Sequence, residues 1–225
     1  MVRQTLDREL QRLQDEVLTM GSMVEKALLE SVDCLKRRDR EGSRRIIAGD
    51  REINRKRFAI EHDCLTLIAT QQPMASDLRT IAAILEITTE LERTGDYAKG
   101  ISNINLLMGD QPLIKPLIDI PRMAEKACDM LHRSLTAFAE RDVEAAQQIP
   151  KEDDEMDALY NQVYRELLTI MMSDHSTIDQ ATYLLWAAHN LERAADRVSN
   201  ICERVIFTVT GQLSEIEDET EPFTK

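Results

Sequence analysis

The chain has 225 residues and a net charge of −13, with 28 Lys and Arg against 41 Asp and Glu. That balance repels phosphate backbones and excludes generic nucleic-acid binding, a local basic stripe aside. Gly (7), Pro (6) and aromatic residues (4%) are few, whereas Ala, Leu, Ile, Met, Glu and Arg abound, which is all-α usage.

Leu6, Leu10, Leu13, Val17, Met20, Val24, Ala27, Ser31 and Leu35 alternate spacings of four and three, the stripe of one long amphipathic helix. It stops near Arg37-Arg38-Asp39, just before Gly42. A second helix is predicted from Ser43 or Asp50 to Thr70, ended by Pro73. A third follows, with Asp77 as candidate cap of its first turn, and runs to about Met108. Residues 109–121 hold three of the six prolines and form the connector, placed at 111–121 between units of 1–110 and 122–213.

The pattern then restarts. Met23-x-Glu25-Lys26-Ala27 returns as Met123-x-Glu125-Lys126-Ala127, at an offset of 100. Asp39-x-Glu41 returns as Asp142-x-Glu144 and Asp50 as Asp153, at an offset of 103, before the offset falls back to 100. Length changes confined to turns mark two homologous units. The predicted fold is two tandem three-helix bundles, six long antiparallel helices, followed by an acidic tail over 214–225.

Both units carry an acidic ladder. Leu91-Glu92-Arg93-Thr94-Gly95-Asp96 recurs as Leu191-Glu192-Arg193-Ala194-Ala195-Asp196, each with carboxylates at i and i+4 on one helical face. Counting back from the hairpin turns brings Asp50 and Asn54 level with Glu92 and Asp96, and Asp153 and Asp157 level with Glu192 and Asp196. Such oxygen-rich clusters accept Mg²⁺, Ca²⁺, Mn²⁺ or iron. Acid pairs on solvated faces are equally ordinary in a chain with 31% charged residues, so both readings stand at this stage. Asn54 lacks a negative ligand, which makes the first cluster the weaker candidate.

Catalytic signatures are missing from the sequence. No Glu-x-x-His, Gly-rich phosphate loop, G-x-S-x-G or Cys/His nucleophile pairing occurs, and no catalytic residue is assigned. His62, His132, His175 and His189 stand isolated, and Met171, Met172 and Trp186 fall at core spacing. Cys34, Cys64, Cys128 and Cys202 are scattered without a C-x-x-C pair, as in a reducing compartment. No apolar stretch approaches the ~20 residues of a spanning helix, and no secretory signal follows Met1, so a cytoplasmic location is expected.

The Leu-Glu-Arg-x-Gly-Asp run at 91–96, Gln72-Pro73-x-Ala75-Ser76-Asp77-Leu78-Arg79, Asn200-Ile201-Cys202-Glu203, and the Asp-x-x-x-Asn and Asp-x-x-x-Asp runs at 50–54 and 153–157 resemble the PhoU family. The likeness spans about Leu6 to Gly211 and departs from the pattern at Ala194-Ala195 and Asn54. It implies a cytoplasmic, non-enzymatic homodimer whose partners are the ATPase subunit of an ABC phosphate importer and a sensor histidine kinase. It would hold the phosphate-starvation response off when phosphate is plentiful. The resemblance also implies iron or zinc at the acidic motifs, with Asp50, Asn54, Glu92 and Asp96 in one site and Asp153, Asp157, Glu192 and Asp196 in the other. The competing class is a metal store or metal-dependent enzyme built on the same carboxylates.

Overall fold

In the computed structural model, which describes residues 2–213, the periodic first segment is a single helix, α1 (Val2–Arg37). Its stripe is the one the spacing predicts: Leu6, Leu10, Leu13, Val17, Met20, Val24 and Leu35 are buried, with Ser31 donating to the Leu28 carbonyl at 2.7 Å. Helix α1 ends where Arg38 turns left-handed at φ 59°, and Asp39 caps the next helix by accepting from the Gly42 amide at 2.8 Å.

That next helix, α2 (Arg40–Gln71), starts earlier than Ser43 or Asp50. Gly42 is a helical residue and not a breaker, because a Cβ there would meet the Asp39 carboxylate and the Cys34 sulfur. Helix α3 (Ser76–Leu107) follows a short turn. Ala75 occupies its N-cap position without a side-chain bond, and Asp77 lies buried inside the first turn, so the cap expected from Asp77 is displaced. An acid within the first turn still faces the positive end of the helix dipole.

The second unit repeats this plan with one break. Helix α4 (Asp119–Glu140) begins two residues before the expected end of the connector. Pro121 falls in its first turn, where no intrahelical N–H is required. At its end Arg141 turns left-handed at φ 59° and Asp142 accepts from the Ala145 amide at 3.0 Å, the same turn as Arg38-Asp39. The second helix of this unit is in pieces: α5 (Val143–Gln148), a 3₁₀ turn over Ile149–Glu152, and α6 (Asp153–Ser173). Pro150 causes the break, since it cannot donate to a carbonyl one turn back. Glu152 pins the broken turn to α4 through Lys126 at 2.6 Å and Arg133 at 2.7 Å. A 3₁₀ turn over His175–Thr177 leads into α7 (Ile178–Thr210).

Six long helices and no strand are present among the described residues. The two units share one core rather than two. Helices α3 and α7 form the broadest seam, α1 also packs on α4, and α2 and α6 flank the outside. The connector closes over this core, with Gln180 accepting from the Ile114 amide and donating to the Pro112 carbonyl. Burial of large aliphatic side chains along such a seam, worth about 1.5–3 kcal/mol each, makes the two repeats one cooperative body.

Two expectations fail at the surface. Trp186 is 52% exposed and Met172 is 74% exposed, although their spacing suggested core. Helical spacing alone does not tell which stripe a neighbour covers. The four cysteines are free and buried, and burial pushes the Cys64, Cys128 and Cys202 thiols up to about 12. No described helix is long and apolar enough to cross a membrane. The acidic tail expected over 214–225 lies outside the described residues.

Candidate functional site

The hairpin pairing brings the first four residues together, and two cations join them. Asp50, buried on α2, receives Lys99 Nζ from α3 on its Oδ2 at 2.8 Å. Lys99 reaches Asp96 Oδ1 as well, at 3.5 Å. Asn54 turns its amide onto its own helix, donating to Asp50 Oδ2 and to the Asp50 carbonyl, both at 3.2 Å. Glu92 faces Arg57 of α2 at 3.6 Å. The hydrogen bond to Asp50 raises the Lys99 ammonium above its usual range, so this cluster carries a built-in cation.

The second cluster has the same frame without counterparts of Lys99 and Arg57. The repeat places Tyr160 where Arg57 stands and Ser199 where Lys99 stands. Glu192 is left with His189, whose Nδ1 lies 3.1 Å from Oε2, and His189 also sits against Tyr160 with ring centroids 6.3 Å apart. Burial raises the Glu192 carboxyl, and the charges of Asp196 and Asp157 raise it further against His189. Asp196 is raised by burial too, with Asp157 adding to it and Arg197 and Arg193 opposing it. Asp157 is exposed on α6, and Asp153 is that helix's first residue, where the dipole favours an acid in any case.

Clustered carboxylates with a histidine beside Glu192 are a donor set suited to a hard or borderline divalent cation. The first cluster does not fit such an ion as well, because Lys99 and Arg57 already hold its acids. Among the described residues, no three His, Cys, Asp or Glu side chains stand in an arrangement that could hold a metal ion. Loading the second cluster would therefore require its carboxylates to turn.

The sequence reading missed Lys99, Arg57 and His189. Their signal was present: Lys99 lies three residues past Asp96, and its repeat mate Ser199 lacks a charge. The departure at Ala195 also has a structural partner. A Cβ on Gly95 would stand 3.2 Å from Ile53 Cδ1, and the mate of Ile53 is the unbranched Met156. Ala195 and Met156, the repeat mates of Gly95 and Ile53, are both fully buried.

Tandem three-helix units sharing one seam, each with an acidic ladder on its third helix facing its second, define a duplicated helical-domain protein. The family description that matches is the PhoU domain, found twice, over residues 17–104 and 120–205. The chain belongs to the PhoU family. It is 37% identical over 222 residues to the phosphate-specific transport system accessory protein PhoU homolog of Clostridium acetobutylicum, covering 97% of this chain and 100% of that one. It is 37% identical over 204 residues to the accessory protein PhoU of Escherichia coli, covering 91% of this chain and 85% of that one. Crystal structures agree. The phosphate transport system regulatory protein PhoU from Streptococcus pneumoniae superposes with a TM-score of 0.85 at 32% identity, covering 93% of this chain and 99% of that one. PhoU from Pseudomonas aeruginosa does so with a TM-score of 0.85 at 31% identity, covering 92% and 99%.

Proposed function

We propose that this protein is an accessory regulator of phosphate transport, acting in the cytoplasm as an adaptor and not as an enzyme. The observation that carries this is the end-to-end match, in sequence and in three dimensions, to proteins named as phosphate transport accessory and regulatory proteins. The adaptor contacts the ATPase subunit of an ABC phosphate importer and a sensor histidine kinase, and represses the phosphate-starvation response when phosphate suffices. A homodimer is the assembly expected from the family resemblance. Duplicated helices suit this role, since exposed faces of α2 and α6 leave the shared core untouched when partners bind.

Deleting the gene tests the reading. Phosphate-responsive transcription, followed with a reporter, should rise at high phosphate and fall back when the intact chain is restored. A reporter that stays low at high phosphate in the deletion strain overturns it.

A second reading, metal binding at the carboxylate clusters, is favoured by one observation: Lys99 and Arg57, which hold acids of the first cluster, are replaced by Ser199 and Tyr160 in the second. Iron, zinc or another divalent cation there would be held by Asp153, Asp157, Glu192 and Asp196, and would neutralise their mutual repulsion. Elemental analysis of protein purified without chelator, with Asp153→Ala and Glu192→Ala combined as the control, tests it. Metal content unchanged in that variant ends the assignment.

A further inference from the structure

The arginines of the two ladders meet. Arg93 of α3 and Arg193 of α7 lie one hundred residues apart, and the α3–α7 seam brings them into one cleft of about 270 Å³ lined by Arg93, Asp96, Tyr97, Arg193 and Arg197. In a chain of net charge −13, three guanidiniums converging on one hollow is the local basic exception that bulk charge does not foresee.

Their internal partners do not use them up. Glu90, on the floor of the seam, lies 3.6 Å from Arg93 and 3.4 Å from Arg197, and also accepts from Asn200 at 3.2 Å. One carboxylate at those distances orients two guanidiniums but occupies few of their ten N–H donors. Arg197 Nε is buried with no hydrogen-bond partner. Arg193 is exposed, donates to Tyr97 and lies 5.9 Å from the centroid of its ring, with Asp196 and Glu192 adding further negative charge nearby. The pseudo-twofold that relates the units would supply a second floor carboxylate, but the mate of Glu90 is Asn190. The repeat thus breaks its own symmetry in the direction that leaves the cleft positive.

We propose that this cleft binds inorganic phosphate. Planar guanidiniums match the oxygens of a tetrahedral oxyanion in paired hydrogen bonds. Asp96 at the rim selects among oxyanions. It repels an anion with no proton, such as sulfate, but accepts a hydrogen bond from the P–OH that phosphate retains near neutrality. Tyr97 supplies a further hydroxyl beside it. Both halves of the duplicated chain contribute, so occupancy ties α3 to α7 and links the anion to the packing of the two units. This inference holds independently of the adaptor reading.

Isothermal titration of the full, chelator-treated chain with sodium phosphate, in a chloride buffer of low ionic strength, tests the proposal. Saturable phosphate binding is expected, with sulfate at least about tenfold weaker. Arg93→Gln combined with Arg193→Gln removes two exposed groups, so the fold stays intact by thermal melting while phosphate affinity drops about tenfold or more. Asp96→Asn keeps oxyanion binding and removes the preference over sulfate. An intact chain that binds no phosphate, or a double Arg variant that binds as before, overturns the proposal. So does tighter binding of phenyl phosphate than of inorganic phosphate, which would assign the cleft to a phosphoryl group on a larger partner.

Discussion

Lys99 Nζ sits 2.8 Å from Asp50 Oδ2, and Ser199 occupies the position of Lys99 in the second unit. The pairing of Asp50 with a lysine is therefore particular to the first unit. The consequence for stability is direct. Lys99→Met strands the buried Asp50 carboxylate and should cost about 2 kcal/mol, measured by urea denaturation. Adding Asp50→Asn should recover most of that loss; a double variant no more stable than Lys99→Met would show that the pair does not act together.

The second cluster should show the reverse, through its response to pH. Glu192 and Asp196 have carboxyls raised in the folded chain, burial being the main cause. A group raised on folding contributes stability below its unfolded pKa and loses it as pH climbs through the folded value. In chelator, Glu192→Gln should thus gain on the parent as pH goes from about 4 to about 7, by about 0.5 kcal/mol. Glu152, lowered by Lys126 and Arg133 against the opposing effect of burial, is common to both proteins and cancels. A difference that shrinks with rising pH contradicts the assignment.

Installing the missing cation offers a sharper test of metal binding. Ser199→Lys copies the first cluster into the second, and divalent metal recovered with the protein should fall, as read by elemental analysis. Retention of metal in Ser199→Lys would place the ion elsewhere.

The Gly95/Ile53 and Ala195/Met156 pairs predict coupling. Gly95→Ala gains helix propensity, worth about 1 kcal/mol, but crowds Ile53. Ile53→Met should relieve that contact, so the double variant should exceed the sum of the single changes by about 0.5–1 kcal/mol in a denaturation cycle. Additive effects would mean that Ile53 already yields.

Periodicity and the repeat were enough to read the all-α class, α1 with its stripe, and the hairpin register that sets Asp50 against Lys99's helix. These are local properties: a 3.6-residue period, a repeat at a fixed offset, and proline at a boundary. Less local features escaped. Pro150 was visible and breaks the second helix locally, but the pinning of the broken turn to α4 by Lys126 and Arg133 on Glu152 was not. Trp186 and Met172 obey a helical period but fall on a stripe that no other helix covers.

By itself, then, the sequence determined the duplication, the six helices and the two facing acidic ladders, because each follows from spacing along the chain. Only the tertiary structure decided that the two units share one core, that Lys99 and Arg57 pair with acids of the first cluster, and that Arg93, Arg193 and Arg197 converge. Those outcomes depend on which faces of α3 and α7 meet. That choice is made by the summed burial of apolar side chains from both repeats, a quantity that no single segment carries.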